Sequence, residues 1–220
     1  MKVLGIVASP KGAQSQTLRL MKAVLAGAEK EGAEIGLIDV CALKIKYCTA
    51  CGVCYAKGQC PIRDDFQAVL TRILASDGLV LGSPNYFRSV TAQMKTLIDR
   101  MADAIHCQLL TGKYGCAVAT AGGPNHKEVT DYIAGLFMGF GANAVGAVGA
   151  AASVPGALAA AEQEAVILGQ TLARAIATDR VYPEQASIHS EMRERFRKLV
   201  LMNKDIWDHE YEHWQKMGWL

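Results

Sequence analysis

The sequence predicts an α/β fold, in which a doubly wound, five-stranded parallel sheet is followed by a helical extension at the C-terminus. The first observation is that short apolar runs, typical of strands buried on both faces, alternate with segments of helical periodicity. Such alternation favours βαβ units and a parallel sheet. The second is that three of the runs are followed by segments rich in glycine, proline and hydroxyl side chains, as expected where parallel strands present a ligand site.

Apolar runs and helical stripes define the elements in chain order. Five runs are predicted as strands: Val3–Ala8, Ile35–Val40, Leu79–Leu81, Tyr114–Ala119 and Ala144–Val148. Five segments are predicted as helices: Gln16–Glu31, a helix that begins at Asp64-Asp65, Thr91–Ala104, Lys127–Phe140 and Leu158–Ala177. In the first helix Leu18, Met21 and Leu25 recur at helical spacing. The two aspartates suit the positive end of a helix dipole.

We expect residues 1–180 to form one domain and residues 181–220 to form a helical tail. The tail carries a stripe of apolar and aromatic side chains at helical spacing: Met192, Phe196, Leu199, Ile206, Trp207, Tyr211 and Trp214. Such a stripe must be buried against something. It could pack on the core of its own domain. The domain is already complete without it, however, which favours a subunit interface in a homo-oligomer, a dimer or a tetramer.

Composition restricts the class of protein. Hydrophobic residues make up 51% of the chain, and the net charge of +2 arises from mixed signs, which indicates neither nucleic acid nor an anionic membrane surface as a partner. The uncharged stretch Tyr132–Ala161 is rich in glycine and alanine and is interrupted by Asn143 and Pro155, unlike a membrane-spanning helix. The first residues resemble a strand rather than a signal peptide. Seven cysteines in that context indicate reduced thiols in a cytoplasm.

Four of the cysteines lie close together in the predicted loop 41–63: Cys48, Cys51, Cys54 and Cys60, followed by Pro61. Three thiolates at this spacing can hold one face of a cubane and the fourth can close its last corner, which is the ligand pattern of a [4Fe–4S] cluster. A structural zinc site more often uses two separated pairs. The other cysteines lie in apolar stretches and are interpreted as buried thiols: Cys41, Cys107 and Cys116.

The loop after the first predicted strand, residues 8–18, is rich in hydroxyl groups and precedes a helix. The N–H groups and dipole at a helix N-terminus favour a phosphate, although Ser15 or Thr17 could equally be a helix cap. The loops after strands three and four add the aromatic faces of Tyr86 and Phe87 and a pair of glycines. In the strand order 2-1-3-4-5 these three loops converge. A phosphate cradle beside a slot for a planar ring favours FMN, and the dinucleotide motif G-x-G-x-x-G is absent after the first strand.

These motifs resemble those of the iron–sulfur flavoproteins, within the flavodoxin-like family of NAD(P)H-dependent FMN reductases. The matching segments are Ser9-Pro10-Lys11 leading to Thr17, the four clustered cysteines, Gly82-Ser83-Pro84-x-Tyr86-Phe87, and Met94-Lys95-x-x-Ile98-Asp99-Arg100. The tail segment Asn203-Lys204-Asp205-x-Trp207 extends the likeness over nearly the whole chain. The resemblance implies a flavodoxin-like fold and a homo-oligomer. It also implies electron transfer between cluster and flavin, between subunits rather than within one.

The resemblance implies two groups of cofactor contacts. For the FMN phosphate they are Ser9, Lys11, Ser15, Gln16 and Thr17, and for the isoalloxazine ring they are Pro84, Asn85, Tyr86, Phe87, Thr120, Ala121, Gly122 and Gly123. Lys11 and Gln16 stand where the family commonly has arginine and asparagine. Asn85 and Arg88 stand where small or apolar residues are frequent, so the surroundings of the ring are the least defined part of the prediction.

The predicted function is electron transfer between a [4Fe–4S] cluster and FMN, linking a one-electron donor such as ferredoxin, or else NAD(P)H, to a two-electron acceptor. The cofactors carry the chemistry, so no side chain is predicted to be a nucleophile. Two alternatives use the same residues: a cluster-free NAD(P)H-dependent FMN or quinone reductase, and a flavodoxin-like carrier with structural zinc on the four cysteines. The segment His209-Glu210-Tyr211-Glu212-His213 matches the H-E-x-x-H zinc-protease motif, but we interpret its histidines as solvated residues on the polar side of the tail.

Overall fold

The computed structural model describes residues 1–220 and contains one five-stranded parallel sheet. The strands are β1 (Lys2–Val7), β2 (Glu34–Asp39), β3 (Gly78–Pro84), β4 (Tyr114–Ala121) and β5 (Asn143–Ala151). The helices are α1 (Gln16–Lys30), α2 (Val53–Lys57), α3 (Phe66–Leu74), α4 (Ala92–Asp99), α5 (Ala102–His106), α6 (His126–Gly139), α7 (Ala157–Ala177), α8 (Ala186–Met202) and α9 (Asp208–Lys216). The strand order is β2-β1-β3-β4-β5 and all four pairings are parallel. The predicted fold class and strand order are confirmed.

Helices cover both faces of the sheet. On one face, α1 and α7 pack on strand residues such as Val3 and Val80. On the other face, α3, α4 and α6 pack on the adjacent residues of the same strands, such as Leu4 and Leu79. Successive residues of a strand point to opposite faces. A strand buried on both faces is therefore a continuous apolar run, which is why the sequence predicts these strands so clearly.

Two glycines set the distance between α1 and α7. A Cβ on Gly27 of α1 would collide with the carbonyl oxygen of Val166, and a Cβ on Gly169 of α7 would collide with the carbonyl oxygen of Val24. Only a residue without a side chain allows the two backbones to approach so closely. This crossing fixes α1, whose N-terminus forms part of the candidate site.

Three predicted elements differ clearly from the structure, and the first is the strand Leu79–Leu81, which is part of the longer β3 (Gly78–Pro84). The predicted helix Thr91–Ala104 is divided into α4 and α5 by a turn at Arg100 and Met101, where the N–H of Arg100 is shared between Thr96 and Leu97 and that of Met101 bonds to Ile98, three residues back. The last strand extends beyond the predicted Ala144–Val148, because β5 stays paired with β4 as far as Ala151. Its glycine and alanine residues have low strand propensity and obscured the strand in the sequence.

The tail forms two helices, and much of its apolar stripe is buried within the chain. Phe196 and Trp214 are 5% and 0% exposed, and they pack with Val200 and with Ile105 near the end of α5. The expectation that an isolated domain would expose this stripe is therefore wrong for Phe196 and Trp214. No helix combines the length and the apolar character needed to cross a membrane.

Candidate functional site

The first wall of a cleft at the carboxyl edge of the sheet is the loop between β1 and α1. Gly12 adopts a φ of +51° and begins a 3-10 turn, after which Ser15 becomes the N-cap of α1. The Ser15 hydroxyl accepts a hydrogen bond from the N–H of Leu18 at 3.0 Å. The N–H groups of Gln16 and Thr17 have no backbone acceptor. The first turn of α1 therefore offers free donors and the positive end of a helix dipole, an arrangement suited to a phosphate.

A pair of buried hydroxyl groups joins this wall to the sheet. The Oγ1 atoms of Thr17 and Thr120 lie 2.6 Å apart, and Thr120 belongs to the end of β4. Ser9 is buried close by, whereas Lys11 and Gln16 are exposed at the rim. The hydroxyl pair holds the start of α1 against the strand whose loop forms the opposite side of the cleft.

Another wall of the cleft is the turn that follows β3. Tyr86 and Ser89 exchange two backbone hydrogen bonds of 2.9 and 3.1 Å, and Phe87 and Arg88 between them have φ values of +51° and +67°. Two successive positive φ angles are typical of a type I′ turn, which favours glycine and asparagine, so these larger side chains are strained there. The turn places Tyr86 at the edge of the cleft and leaves Phe87 fully exposed at its tip.

Asn85 and Arg88, which depart from the family pattern, connect this turn to α6. The Asn85 side chain donates to the carbonyl oxygen of Asn125, and its Oδ1 accepts from the N–H of Arg88 at 2.9 Å. The Arg88 guanidinium forms an exposed ion pair with Glu128 at 2.7 Å. These two residues thus fix the relative positions of the loops after β3 and β4.

The structure brings most of the predicted flavin contacts together around one cleft. Its lining includes Ser9, Lys11, Ser15, Gln16, Thr17, Pro84, Asn85, Tyr86, Thr120, Ala121 and Gly122. Open space lies where a Cβ on Gly122 or Gly123 would stand, which leaves room for a planar group near the backbone. Phe87 and Gly123 do not line the cleft, whereas Ala152 does and was missed. Its N–H donates to the carbonyl oxygen of Ala121 at 2.7 Å and draws the end of β5 to the site.

The four clustered cysteines lie in the loop after β2, at the same edge of the sheet as the cleft. All are free thiols, with Cys48 and Cys51 exposed and Cys54 and Cys60 partly buried. Cys54 lies on α2, a short helix within the predicted loop, and burial raises its pKa to about 12, with smaller contributions from Asp103 and then Cys60. Among the other cysteines, Cys107 and Cys116 are buried as predicted, and Cys41 is half-buried.

Backbone N–H groups of the loop point at two of the sulfur atoms. The N–H of Ala50 donates to Cys48 Sγ at 3.4 Å, and hydrogen bonding from the N–H of Val53 is the main cause that lowers the pKa of the Cys51 thiol. Ala50 and Gly52 adopt positive φ angles in this segment, and turns of this kind can present successive N–H groups to an anion. Four free thiols, two of which accept hydrogen bonds from the loop backbone, fit the ligand set of an iron–sulfur cluster, whose potential depends on such hydrogen bonds.

The tail helix α9 packs on the cysteine loop and on α5. The Tyr55 ring of α2 lies 4.8 Å from the ring of His106 and 4.6 Å from that of Trp207. The fully buried Glu210 carboxylate lies 3.1 Å from His106 Nδ1. The aromatic contacts fix the short helix that carries Cys54 against the body of the domain.

The two histidines of the H-E-x-x-H segment are engaged with different partners. His209 Nε2 lies 3.5 Å from the Asp103 carboxylate, and His213 Nε2 lies 2.9 Å from the carbonyl oxygen of Cys107. Burial lowers the pKa of His213. The interpretation of these histidines as solvated residues is wrong, because α9 packs this side of the helix on α5 rather than exposing it.

A parallel sheet with a helix N-terminus, buried hydroxyls and an aromatic turn around one cleft defines a flavodoxin-like, FMN-dependent oxidoreductase. The family model described as NADPH-dependent FMN reductase matches residues 1–154. An iron–sulfur flavoprotein of Archaeoglobus fulgidus is 32% identical over 223 residues, which cover 100% of both chains. An iron–sulfur flavoprotein of Methanocaldococcus jannaschii is 38% identical over 130 residues, covering 59% of this chain and 67% of its own.

Comparison of structures agrees with the fold. An FMN-dependent NADH-azoreductase from Bacillus anthracis, solved in complex with FMN, has a TM-score of 0.64 at 17% identity, over 79% of this chain and 100% of its own. The chain belongs to the NADPH-dependent FMN reductase family and, within it, to the iron–sulfur flavoproteins.

Proposed function

We propose that the chain binds FMN in the cleft and a [4Fe–4S] cluster on Cys48, Cys51, Cys54 and Cys60, and that electrons pass between the two. The observation that carries this proposal is the placement of four free thiols on the loop after β2. In a parallel sheet the loops after β1, β2, β3 and β4 all leave the same edge, so the thiols and the cleft share one end of the molecule. The names of the relatives support the cluster.

In this proposal the chain holds FMN with two groups of residues. The phosphate is assigned to the free N–H groups at the start of α1 and to Ser9, Lys11, Ser15, Gln16 and Thr17, and the ring to Pro84, Asn85, Tyr86, Phe87, Thr120, Ala121, Gly122 and Gly123. Lys11 supplies a positive charge at the rim, where a phosphate would enter. Phe87 would reach the ring only by moving from its exposed position at the tip of the turn.

The protein's contribution is position and electrostatics rather than a nucleophile. Bound FMN would exchange electrons either singly or as a hydride pair, whereas an iron–sulfur cluster on the cysteines would exchange one electron at a time. The donor in this proposal is a one-electron protein such as ferredoxin, and the acceptor is a two-electron compound such as a quinone, a peroxide or oxygen. NAD(P)H is the alternative donor, favoured by the description of the family model.

We also propose that the protein is a homo-oligomer, a dimer or a tetramer, in a reducing cytoplasm. Seven free cysteines support the compartment. Exposed apolar side chains on the tail, Met202 and Ile206, support an interface there. The mass of the native protein, measured by light scattering on a sizing column, tests the assembly, and a monomer would contradict it.

Anaerobic purification with assays of FMN, iron, labile sulfide and zinc tests the proposed cofactors. We expect one FMN, four irons and four sulfides per chain, with the visible spectrum of both groups. FMN without iron would establish the cluster-free reductase instead. Zinc without labile sulfide would establish a carrier with a structural metal.

Electron transfer is tested by following flavin absorbance while reduced ferredoxin is supplied. Cys51→Ala and Cys54→Ala should retain FMN and lose its rapid reduction. Cys41→Ala is the matched control, because Cys41 lies in the same loop but outside the proposed ligand set. Wild-type reduction rates in both ligand variants would show that the cysteines are not on the electron path.

A further inference from the structure

Behind the cysteine loop lies a buried guanidinium group. The side chains of Arg100 and Asp64 are 1% and 2% exposed, and Arg100 Nη1 lies 2.7 Å from Asp64 Oδ2. The guanidinium is also stacked on the ring of Phe66, 4.5 Å from its centroid. Burying a charged group is costly unless the group is paired and hydrogen-bonded. A buried arginine beside the cysteine loop therefore indicates a structural or functional role at that place.

Arg100 bonds to the chain on both sides of the four cysteines. Its Nη1 donates to the carbonyl oxygen of Lys46 at 2.8 Å, before the first cysteine, and its Nη2 lies 3.5 Å from the carbonyl oxygen of Ile62, after the last. Asp64 adds to the closure, because its carboxylate accepts from the N–H groups of Lys46 at 2.8 Å and Phe66 at 3.1 Å. The ion pair therefore fastens both ends of the segment that contains the thiols.

One N–H donor of the guanidinium is unused, and the group lies beside a predicted cluster ligand. The Arg100 Nε–H is buried and has no partner, which is costly for a charged group. Ile62, whose carbonyl oxygen lies 3.5 Å from Nη2, is two residues beyond Cys60, so the guanidinium lies beside the end of the segment that carries this ligand. Burial acts to lower the pKa of Arg100, but hydrogen bonding to Asp64 and the nearby Cys60 raise it. A thiolate at Cys60 would accept a charge-assisted hydrogen bond from this group, and such bonds are stronger than those between neutral partners.

We propose that Arg100 is a positioning residue for the cluster, which closes the cysteine loop and donates to the Cys60 thiolate, so that its charge raises the cluster's reduction potential. This inference rests on the proposed function, since it presupposes a cluster on the four cysteines. One-electron reduction adds a negative charge to the cluster. A fixed positive charge beside a ligand stabilises the reduced form, and hydrogen bonds to sulfur act in the same direction. The Asp64 carboxylate partly offsets this effect.

The test is an anaerobic redox titration of the complete protein with dithionite, followed by the spectrum of the cluster. Arg100→Gln removes the charge and should lower the midpoint by at least about 59 mV, which is a tenfold change in the equilibrium constant of a one-electron couple. Asp64→Asn keeps the shape of the side chain and removes the opposing charge, so it should raise the midpoint. Arg100→Lys keeps the charge and should stay closer to wild type than Arg100→Gln. The matched control is Arg63→Gln, which removes an exposed positive charge from the same loop.

We expect the midpoint to fall in Arg100→Gln and to rise in Asp64→Asn, because the two substitutions remove charges of opposite sign. Loosening of the loop alone would shift both midpoints in the same direction. Midpoints for Arg100→Gln and Asp64→Asn that both equal that of Arg63→Gln, with four irons and four sulfides retained, would overturn the inference and leave the proposed function intact. If Arg100→Gln does not fold, Asp64→Asn and Arg100→Lys decide, and an unshifted midpoint in Asp64→Asn overturns the inference. A wild-type protein without labile sulfide would overturn the proposed function itself.

Discussion

The indole N–H of Trp214 donates to the carbonyl oxygen of His106 at 3.1 Å, and this bond fastens the C-terminal tail to the end of α5. His213 lies 2.9 Å from the next carbonyl, that of Cys107. Carbonyls at a helix C-terminus lack partners within the helix, and here side chains of the tail supply them. Because removal of residues 189–220 would uncover α5, insolubility of such a shortened chain would not by itself demonstrate a subunit interface.

Trp214→Ala should lower the free energy of unfolding by about 3–5 kcal/mol, because it empties a fully buried site and leaves the His106 carbonyl without its donor. Gln215→Ala is the control from the same helix, since Gln215 is exposed and its loss should cost no more than about 0.5 kcal/mol. Urea unfolding followed by circular dichroism measures both. Equal losses in the two variants would show that the tail is not part of the core.

The sequence predicts the tail's stripe but not the surface that it covers. Helical spacing identifies Phe196 and Trp214 as members of one apolar face, and both are buried. Spacing within a helix carries no information about its partner. The partner, α5, was moreover merged with α4 in the prediction, so the carbonyls at its C-terminus were not recognised as sites that needed donors.

Gly169→Ala should destabilise the protein by about 1–3 kcal/mol, because the new Cβ would collide with the carbonyl oxygen of Val24 where α7 crosses α1. Gly135→Ala on α6 provides a control of opposite sign. A Cβ on Gly135 meets nothing within contact distance, so alanine should stabilise that helix by about 0.5–1 kcal/mol. Urea midpoints of the two variants are the measurement. Stabilisation by both substitutions would refute the close crossing.

Thr17→Val should weaken FMN binding, because it keeps the shape of the side chain but removes a hydroxyl from the wall of the cleft and leaves that of Thr120 unpaired. The expected loss is about 1–3 kcal/mol, or roughly 5- to 150-fold in Kd. Titration of flavin-free protein with FMN, followed by the quenching of flavin fluorescence, gives the constant. Thr71→Val, an exposed position on α3, should bind like wild type. A Kd for Thr17→Val equal to that of Thr71→Val would indicate that the phosphate lies elsewhere.

The sequence predicts the residues around the cleft better than the side-chain contacts that hold the cysteine loop. Loops after parallel strands must reach one edge of the sheet, so Ser15 and Thr120 could be placed together without knowledge of any side chain. The pair of Asp64 and Arg100 joins positions 36 residues apart in the chain, and no local pattern records such a contact. Ala152 was missed because the glycine and alanine residues at the end of β5 have low strand propensity, so the strand was predicted to end at Val148.

A buried acidic group beside the cysteine loop makes stability depend on pH. Burial raises the pKa of Glu210, and burial likewise raises the pKa of Asp103. The groups that face Glu210 are His106 on α5, at 3.1 Å, and the nearby Asp103 and His209. A carboxyl with a raised pKa binds its proton more tightly in the folded protein than in the unfolded chain. Its contribution to stability is therefore complete below the ordinary glutamate pKa and is lost as pH rises through the raised value.

Glu210→Gln should make unfolding less sensitive to pH, because glutamine keeps a hydrogen-bonding group at His106 without an ionisable one. We expect the free energy of unfolding of wild type to fall relative to that of the variant as pH rises from 5 to 8, with about 1.4 kcal/mol for each tenfold difference in proton affinity between the folded and unfolded states. Urea unfolding at each pH gives this difference, and only its slope matters, since the substitution also has a constant effect on packing. Glu212→Gln, an exposed position two residues along α9, should leave the slope of wild type unchanged. Parallel pH profiles for wild type and Glu210→Gln would mean that Glu210 does not titrate differently on folding, and that the contact between α9 and α5 is insensitive to its charge.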